Sequence, residues 1–121
     1  EQYHSSTGLR TEEWIEHWFH HFSIDMAHAP AAVETIISKA IHLIDAHGEA
    51  MEGVEHAINL CKEQNLSLGL ATSSPLSLVK VVLEKLNLQN TFDAITSAEH
   101  LPFGKPNPQV YMDCADVLQL S

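Results

Sequence analysis

Hydrophobic residues recur at helical spacing through the first half of the chain. One series follows Thr11, which predicts a helix over about residues 11–22 with Thr11 as N-cap. A second series follows Pro30 and stops at Gly48, which predicts a helix that has this glycine at its C′ position. The apolar members of the two series are Trp14, Ile15, Trp18, Phe19, Phe22, Val33, Ile36, Ile37, Ala40, Ile41 and Ile44. No strand is predicted in this half, and the aromatic residues are expected to form the core of a helical layer.

The pattern changes after residue 50, where short apolar runs alternate with helical stretches. The run 66–71 is almost continuously apolar, as expected of a parallel strand that is covered on both faces. Ser74 and Pro75 match an N-cap followed by proline at the first helical position. The predicted elements are a helix over 54–64, a strand over 66–71, a helix from 75 to about 86, a strand over 92–96 and a helix over 108–118. This alternation predicts an α/β fold with parallel strands.

The chain is acidic, with 16 Asp and Glu against 6 Lys and Arg and a formal net charge of −10. This balance argues against a nucleic-acid-binding surface, which needs clustered cations. It is compatible with a small phosphorylated ligand, since one or two well-placed cations can hold a phosphate in an acidic protein. Cys61 and Cys114 are far apart and form no CxxC pair, which favours a reducing, cytoplasmic location. No apolar run approaches a membrane span of about 18 residues, and we expect a monomer without membrane or nucleic-acid partners.

A first candidate site follows the strand predicted over 66–71. Thr72, Ser73 and Ser74 lie where this strand ends and the next helix begins. Ligands of α/β proteins bind at the carboxyl ends of strands, and a helix N-terminus attracts anions. Thr72 can donate its hydroxyl, and Ser73 its backbone N–H, to such an anion. The alternative is that Ser74 merely caps the helix and Thr72 merely ends the strand.

A second candidate site is the segment Gly104–Lys105–Pro106–Asn107–Pro108. Three prolines between residues 101 and 108 exclude regular structure there, and a stiff backbone limits where the ammonium of Lys105 can lie. The alternative is an ordinary exposed lysine on the surface.

Together, the two sites resemble the second and third signature motifs of the haloacid dehalogenase (HAD) superfamily. In that family a strand ends in Thr or Ser, and a lysine that precedes proline follows after a helix and a strand; here Lys105 follows Thr72 by 33 positions. The strings LATSSP (70–75) and KPNPQVY (105–111) look like the subfamily that acts on hexose phosphates, the branch of the bacterial 2-deoxyglucose-6-phosphate phosphatases. The resemblance implies a Rossmann-like core and a phosphatase of small sugar phosphates. It implies that Thr72 and Lys105 are catalytic and that Ser73, Ser74 and Asn107 bind phosphate or substrate.

The resemblance also implies two parts, a helical C1-type cap over residues 1–50 and a partial Rossmann-like core over residues 51–121. In the family a cap loop selects the substrate, and Gly8–Leu9–Arg10 matches that loop in position. Arg10 is therefore a candidate substrate-binding residue, because its planar guanidinium can hold sugar hydroxyls or a charged substituent. The alternative is a solvated arginine.

The chain lacks two motifs that the family needs for turnover. The first is an Asp-x-Asp that carries the nucleophile and the general acid–base, and the other supplies further carboxylates for Mg²⁺; the five aspartates of this chain form no Asp-x-Asp. We therefore expect these motifs, and the Mg²⁺ ligands, outside residues 1–121. We expect residues 1–121 alone to be inactive and marginally folded, because their strands would lack sheet neighbours. Two alternatives stay open: a non-catalytic module that binds a phosphosugar or a protein, and a phosphosugar mutase of the same family.

His17 and His21 are four positions apart on the first predicted helix, a spacing that can bind zinc. The sequence offers no obvious third ligand, and we assign them no metal role.

Overall fold

The computed structural model describes residues 6–120, and its elements follow the predicted order. They are α1 (Thr11–His21), α2 (Ala29–His47), α3 (Val54–Glu63), β1 (Gly69–Thr72), α4 (Leu76–Lys85), β2 (Ala94–Ser97) and α5 (Gln109–Val117). Short 3₁₀ helices occupy Met26–His28 before α2 and Ala98–His100 after β2. Within residues 6–120, no helix is long and apolar enough to cross a membrane.

The two strands pair in parallel, as predicted, but both begin later than the apolar pattern suggests. The register aligns Gly69 with Ala94 and Thr72 with Ser97. Residues 66–68 stay outside the strand because the Leu66 N–H donates to the Cys61 carbonyl at the end of α3. The Leu68 N–H donates to the side chain of Asp93 at 2.8 Å. Both strands instead extend further at their carboxyl ends, so that Thr72 and Ser97 belong to the sheet.

Two predicted helix starts are wrong in ways that bear on the candidate sites. Arg10, not Thr11, is the N-cap of α1, and its backbone N–H donates to Glu13 Oε2 at 3.0 Å. Pro75, not Ser74, is the N-cap of α4, because Pro75 has extended backbone angles and the helix begins one residue later. The first N–H of that helix, from Leu76, donates to Glu99 Oε2 at 3.1 Å, so a residue from beyond β2 caps α4.

Gly48 ends α2, but not through a left-handed backbone. Its φ is −63°, in the extended region that any residue adopts. A Cβ at this position would lie 2.5 Å from the Ile44 carbonyl oxygen. Close approach of the backbone, rather than a positive φ, therefore explains the glycine.

The core lies where α1 packs on α2, α2 on α4, and α5 on both strands. Its buried apolar residues are Ile15, Trp18, Ala29, Val79, Leu83, Ala94, Ala98, Val110 and Cys114. Trp18 is 8% exposed, as expected of a core residue, whereas Phe22 is 63% exposed, so its predicted place in the core is wrong. Phe22 lies at the C-cap of α1 and stacks on the Trp18 ring from the solvent side.

Candidate functional site

The carboxyl ends of the two strands hold the turn that follows β1. Thr72 and Ser97 are register partners, and both hydroxyls bind the backbone of Ser74. Thr72 Oγ1 accepts the Ser74 N–H at 3.0 Å, and Ser97 Oγ donates to the Ser74 carbonyl at 2.7 Å. A hydroxyl that accepts one hydrogen bond keeps its proton for a second partner. Thr72 can therefore brace the turn and still donate to a ligand at the edge of the sheet.

Lys105 reaches the same end of β1 from a loop 34 residues further along the chain. Its ammonium donates to the carbonyl oxygen of Ala71, the residue directly before Thr72, at 3.1 Å. The ammonium also lies 4.8 Å from the centroid of the Tyr111 ring, a cation–π distance. Because an ammonium carries three donors, it retains capacity for an anion after the Ala71 contact. The structure thus brings the hydroxyl-bearing turn and the lysine to one strand end.

The other predicted ligand-binding residues all carry contacts within the protein. Ser73 Oγ donates to the Gly8 carbonyl at 2.8 Å, which joins the turn after β1 to the segment before α1. Asn107 Oδ1 accepts the Gln109 N–H at 3.0 Å and so caps the start of α5. The roles of Ser73, Ser74 and Asn107 toward a phosphate or a sugar stay predictions.

Arg10 lies against the core rather than in solvent, its side chain being 15% exposed. Nη2 forms an ion pair with Glu13 Oε1 at 2.7 Å, and Nη1 donates to the carbonyls of Ala98 and Leu101. Hydrogen bonding from Arg10 holds the pKa of Glu13 below its usual range, and the same bond raises the pKa of Arg10. Both terminal nitrogens of the guanidinium thus donate to acceptors within the protein. The role of Arg10 toward a substrate stays a prediction.

Gly104, next to Lys105, packs directly on this ion pair. Its N–H donates to Glu13 Oε1 at 3.3 Å. A Cβ at position 104 would lie 2.6 Å from Glu13 Oε2 and 3.0 Å from Arg10 Nε, so the contact requires glycine. A cavity of about 490 Å³ opens beside it, lined by Leu9, Glu13 and residues 103–107.

Sequence reasoning missed Glu13, Ser97 and Glu99. Glu13 carried a weak signal, since an acidic residue three positions after an N-cap is typical of a capping box. Ser97 and Glu99 carried none, because their partners Ser74 and Leu76 lie more than twenty residues away along the chain.

The described residues do not form a metal site. Among residues 6–120 there is no group of three or more His, Cys, Asp or Glu side chains that could hold an ion. The rings of His17 and His21 instead make edge contacts with Trp18, with centroids 5.1 and 5.4 Å apart. Ligands for the Mg²⁺ ion that the resemblance implies are therefore expected outside the described residues.

Comparison with known proteins shows the family to which this chain belongs. A family profile described as "Haloacid dehalogenase-like hydrolase" matches residues 1–121. Hexitol phosphatase B of Escherichia coli (strain K12) is 42% identical over 108 residues, which are 89% of this chain and 49% of that protein. A phosphorylated carbohydrates phosphatase of Thermotoga maritima is 33% identical over 60 residues, which are 50% of this chain and 28% of that protein. The chain therefore spans about half the length of the hexitol phosphatase that it matches.

A solved structure confirms the fold class. β-Phosphoglucomutase from Clostridium difficile superimposes with a TM-score of 0.82 at 20% sequence identity, over 96% of this chain and 54% of that one. At this level of identity, the likeness shows the α/β fold alone.

Proposed function

Because this chain belongs to the haloacid dehalogenase-like hydrolase family, we propose that the protein that contains it hydrolyses small sugar phosphates of the hexose or hexitol phosphate type. The observation that carries the proposal is the position of the Lys105 ammonium, which lies 3.1 Å from the carbonyl oxygen of Ala71, the residue directly before Thr72. A hydroxyl donor and a cation at the end of a parallel strand are what a phosphoryl group requires. The phosphatase relatives from two bacteria support this substrate class.

In this proposal, residues of the chain position and neutralise the phosphoryl group. Negative charge develops on the oxygens of the phosphoryl group during its transfer. Catalysis therefore depends on the positions of the reacting groups and on electrostatic stabilisation of this charge. Thr72 donates its hydroxyl to one phosphoryl oxygen, and the Ser73 N–H donates to a second. Lys105 stabilises the charge that develops during transfer.

The nucleophile of the proposed reaction is an aspartate outside these 121 residues. Its carboxylate attacks phosphorus and the bond from phosphorus to the sugar oxygen breaks. The second aspartate of the expected Asp-x-Asp motif gives its proton to that oxygen, which leaves as the alcohol. Water then attacks the aspartyl-phosphate, which releases inorganic phosphate and restores the carboxylate. Mg²⁺, held by ligands outside the described residues, belongs to the proposal as a source of positive charge.

The proposed cap is the helical part of the chain, residues 1–50, and the proposed core is residues 51–121. The order of the elements supports this division, since α1 and α2 precede residue 50 and both strands follow residue 68. In the proposal the segment before α1, including Arg10, faces the substrate and contributes to its selection.

The test uses the full-length protein and release of inorganic phosphate from hexose and hexitol phosphates. We expect Mg²⁺-dependent hydrolysis that chelation abolishes, and a loss in kcat of about a hundredfold or more for Lys105→Met. Lys62→Met is the matched control, because Lys62 is exposed on α3 near the opposite end of β1. Full activity of Lys105→Met, or equal losses in the two variants, would contradict the assignment of Lys105.

Analysis of the products separates the alternatives. A phosphosugar mutase moves the phosphoryl group within or between sugars without accumulating inorganic phosphate, whereas a phosphatase releases it. A binding module binds a phosphosugar but converts it to no product.

A further inference from the structure

Two segments of the chain, residues 10–13 and the loop 98–104, meet at the ion pair of Arg10 and Glu13. Glu13 lies in the first turn of α1 and is 27% exposed at its side chain. Its carboxylate accepts from the Arg10 backbone N–H, the Arg10 guanidinium and the Gly104 N–H. The bond to Gly104 spans 91 residues and ends one peptide bond before Lys105.

The partner of this carboxylate extends the cluster to the start of the same loop. Nη1 of Arg10 donates to the carbonyls of Ala98 and Leu101, in the segment that leaves β2. The loop from 98 to 104 is therefore held at both ends by one ion pair that belongs to the helical half of the chain. Since Glu13 is the ion-pair partner of this guanidinium, removing its charge leaves a mostly buried arginine with carbonyl acceptors but no ion pair.

We infer that Glu13 is a positioning residue for Lys105: its carboxylate ties α1 to the lysine loop through Gly104 and Arg10 and so fixes where the ammonium lies. The inference rests on the proposed function for the catalytic role of Lys105. The placement itself does not depend on that role. The contact between Gly104 and the Glu13 carboxylate explains why position 104 is a buried glycine, because any Cβ there would push this carboxylate out of place.

The test compares Glu13→Gln with Glu12→Gln in the full-length protein. Both substitutions remove one negative charge from the first turn of α1, but Glu12 is an exposed neighbour. The first readout is the labelling rate of Lys105 by an amine-reactive reagent, measured by peptide mass spectrometry. The second is backbone hydrogen exchange over residues 98–107. For Glu13→Gln we expect both rates to rise by about tenfold, the effect of weakening a charge-assisted hydrogen bond.

Kinetics supply a third readout when kcat is expressed per folded protein, because loss of folded protein then changes neither kcat nor KM. If Glu13 places Lys105 for the transition state, Glu13→Gln lowers kcat by about tenfold while KM changes little. Labelling and exchange need no turnover, so they still test the placement if the protein proves not to be a phosphatase. In that case the proposed function is wrong, and the labelling and exchange rates alone decide the inference about the position of Lys105.

Labelling and exchange in Glu13→Gln that stay at the rates of Glu12→Gln would overturn the inference. Faster exchange spread over the whole chain would also count against it, because that pattern reports general destabilisation. If Glu13→Gln does not fold, Glu13→Asp replaces it, since aspartate keeps the charge but shortens the reach to Gly104. An unchanged labelling rate in Glu13→Asp then overturns the inference.

Discussion

Replacing Gly69 by alanine tests how α5 packs on the strand that carries the candidate site. A Cβ at position 69 would lie 2.6 Å from Sγ of Cys114, on α5, and 3.0 Å from Cδ1 of Leu118, the residue that follows this helix. Cys114 is 6% exposed, and α5 packs on both strands, so the sulfur has little room to move aside. The Leu118 methyl is the end of a flexible side chain and can turn aside. The contact with sulfur is therefore the one that decides the outcome.

The expected cost follows from two opposing effects. Forcing an extra methyl into a packed contact costs about 1–3 kcal/mol. Alanine also restricts the unfolded chain, which stabilises the folded state by about 0.4–1 kcal/mol. Gly69→Ala should therefore lower the free energy of unfolding by about 1–2 kcal/mol.

Urea unfolding of the full-length protein, with Cys114→Ala as the second arm of a double-mutant cycle, measures this effect. Removing the sulfur makes room for the new methyl, so Gly69→Ala should cost little in the Cys114→Ala background. Cys61→Ala is the control, because Cys61 is half-buried on α3 and should combine additively with Gly69→Ala. An interaction energy near zero between Gly69→Ala and Cys114→Ala would refute the packing argument.

Three further predictions concern contacts around the strand ends. Glu99→Ala should destabilise the protein by about 1 kcal/mol in urea unfolding, because it removes the acceptor at the first turn of α4. Tyr111→Leu should speed the labelling of Lys105 by about two- to fivefold through loss of the cation–π contact, whereas Tyr111→Phe keeps the ring and should match the wild type. The pKa of Glu13 is lowered in the folded protein by its bond to Arg10, so the stabilisation from this pair is complete above the usual glutamate pKa of about 4.3 and is lost as pH falls through the lowered value. Urea midpoints measured at decreasing pH should show this loss in the wild type and a smaller loss in Glu13→Gln.

The helices and the parallel pairing could be predicted because they follow from periodicity and alternation. Apolar residues at helical spacing define α1 and α2, and short apolar runs between helices define β1 and β2. The ends of the strands could not be predicted. The Leu68 N–H donates to the side chain of Asp93, 25 residues further along the chain, directly before β1 begins. Hydrophobicity says which residues are buried, but hydrogen bonds to distant residues decide where a strand starts.

Some residues of the candidate site could likewise be predicted from the sequence, and others could not. Thr72 and Lys105 were found because their chemistry and their neighbours match a known pair of motifs. Ser97 was not found, because a serine after a short apolar run is common and its bond to the Ser74 carbonyl appears only when the register is known. Arg10 was found as a candidate ligand-binding residue, but its ion pair with Glu13 and its carbonyl partners were not.

Two contacts that could not be predicted from the sequence join the candidate sites to the helical half of the chain. Ser73 Oγ binds the Gly8 carbonyl, and Gly104 N–H binds Glu13 Oε1, so each loop is tied to the short segment 8–13. A shift of that segment must therefore move both loops together or break one of the two bonds. If the segment also contacts the sugar, as proposed, then substrate binding and the placement of Lys105 are coupled through the same few atoms. Substrate preference and turnover should then change together when this segment is altered, even by substitutions that leave Thr72 and Lys105 in place.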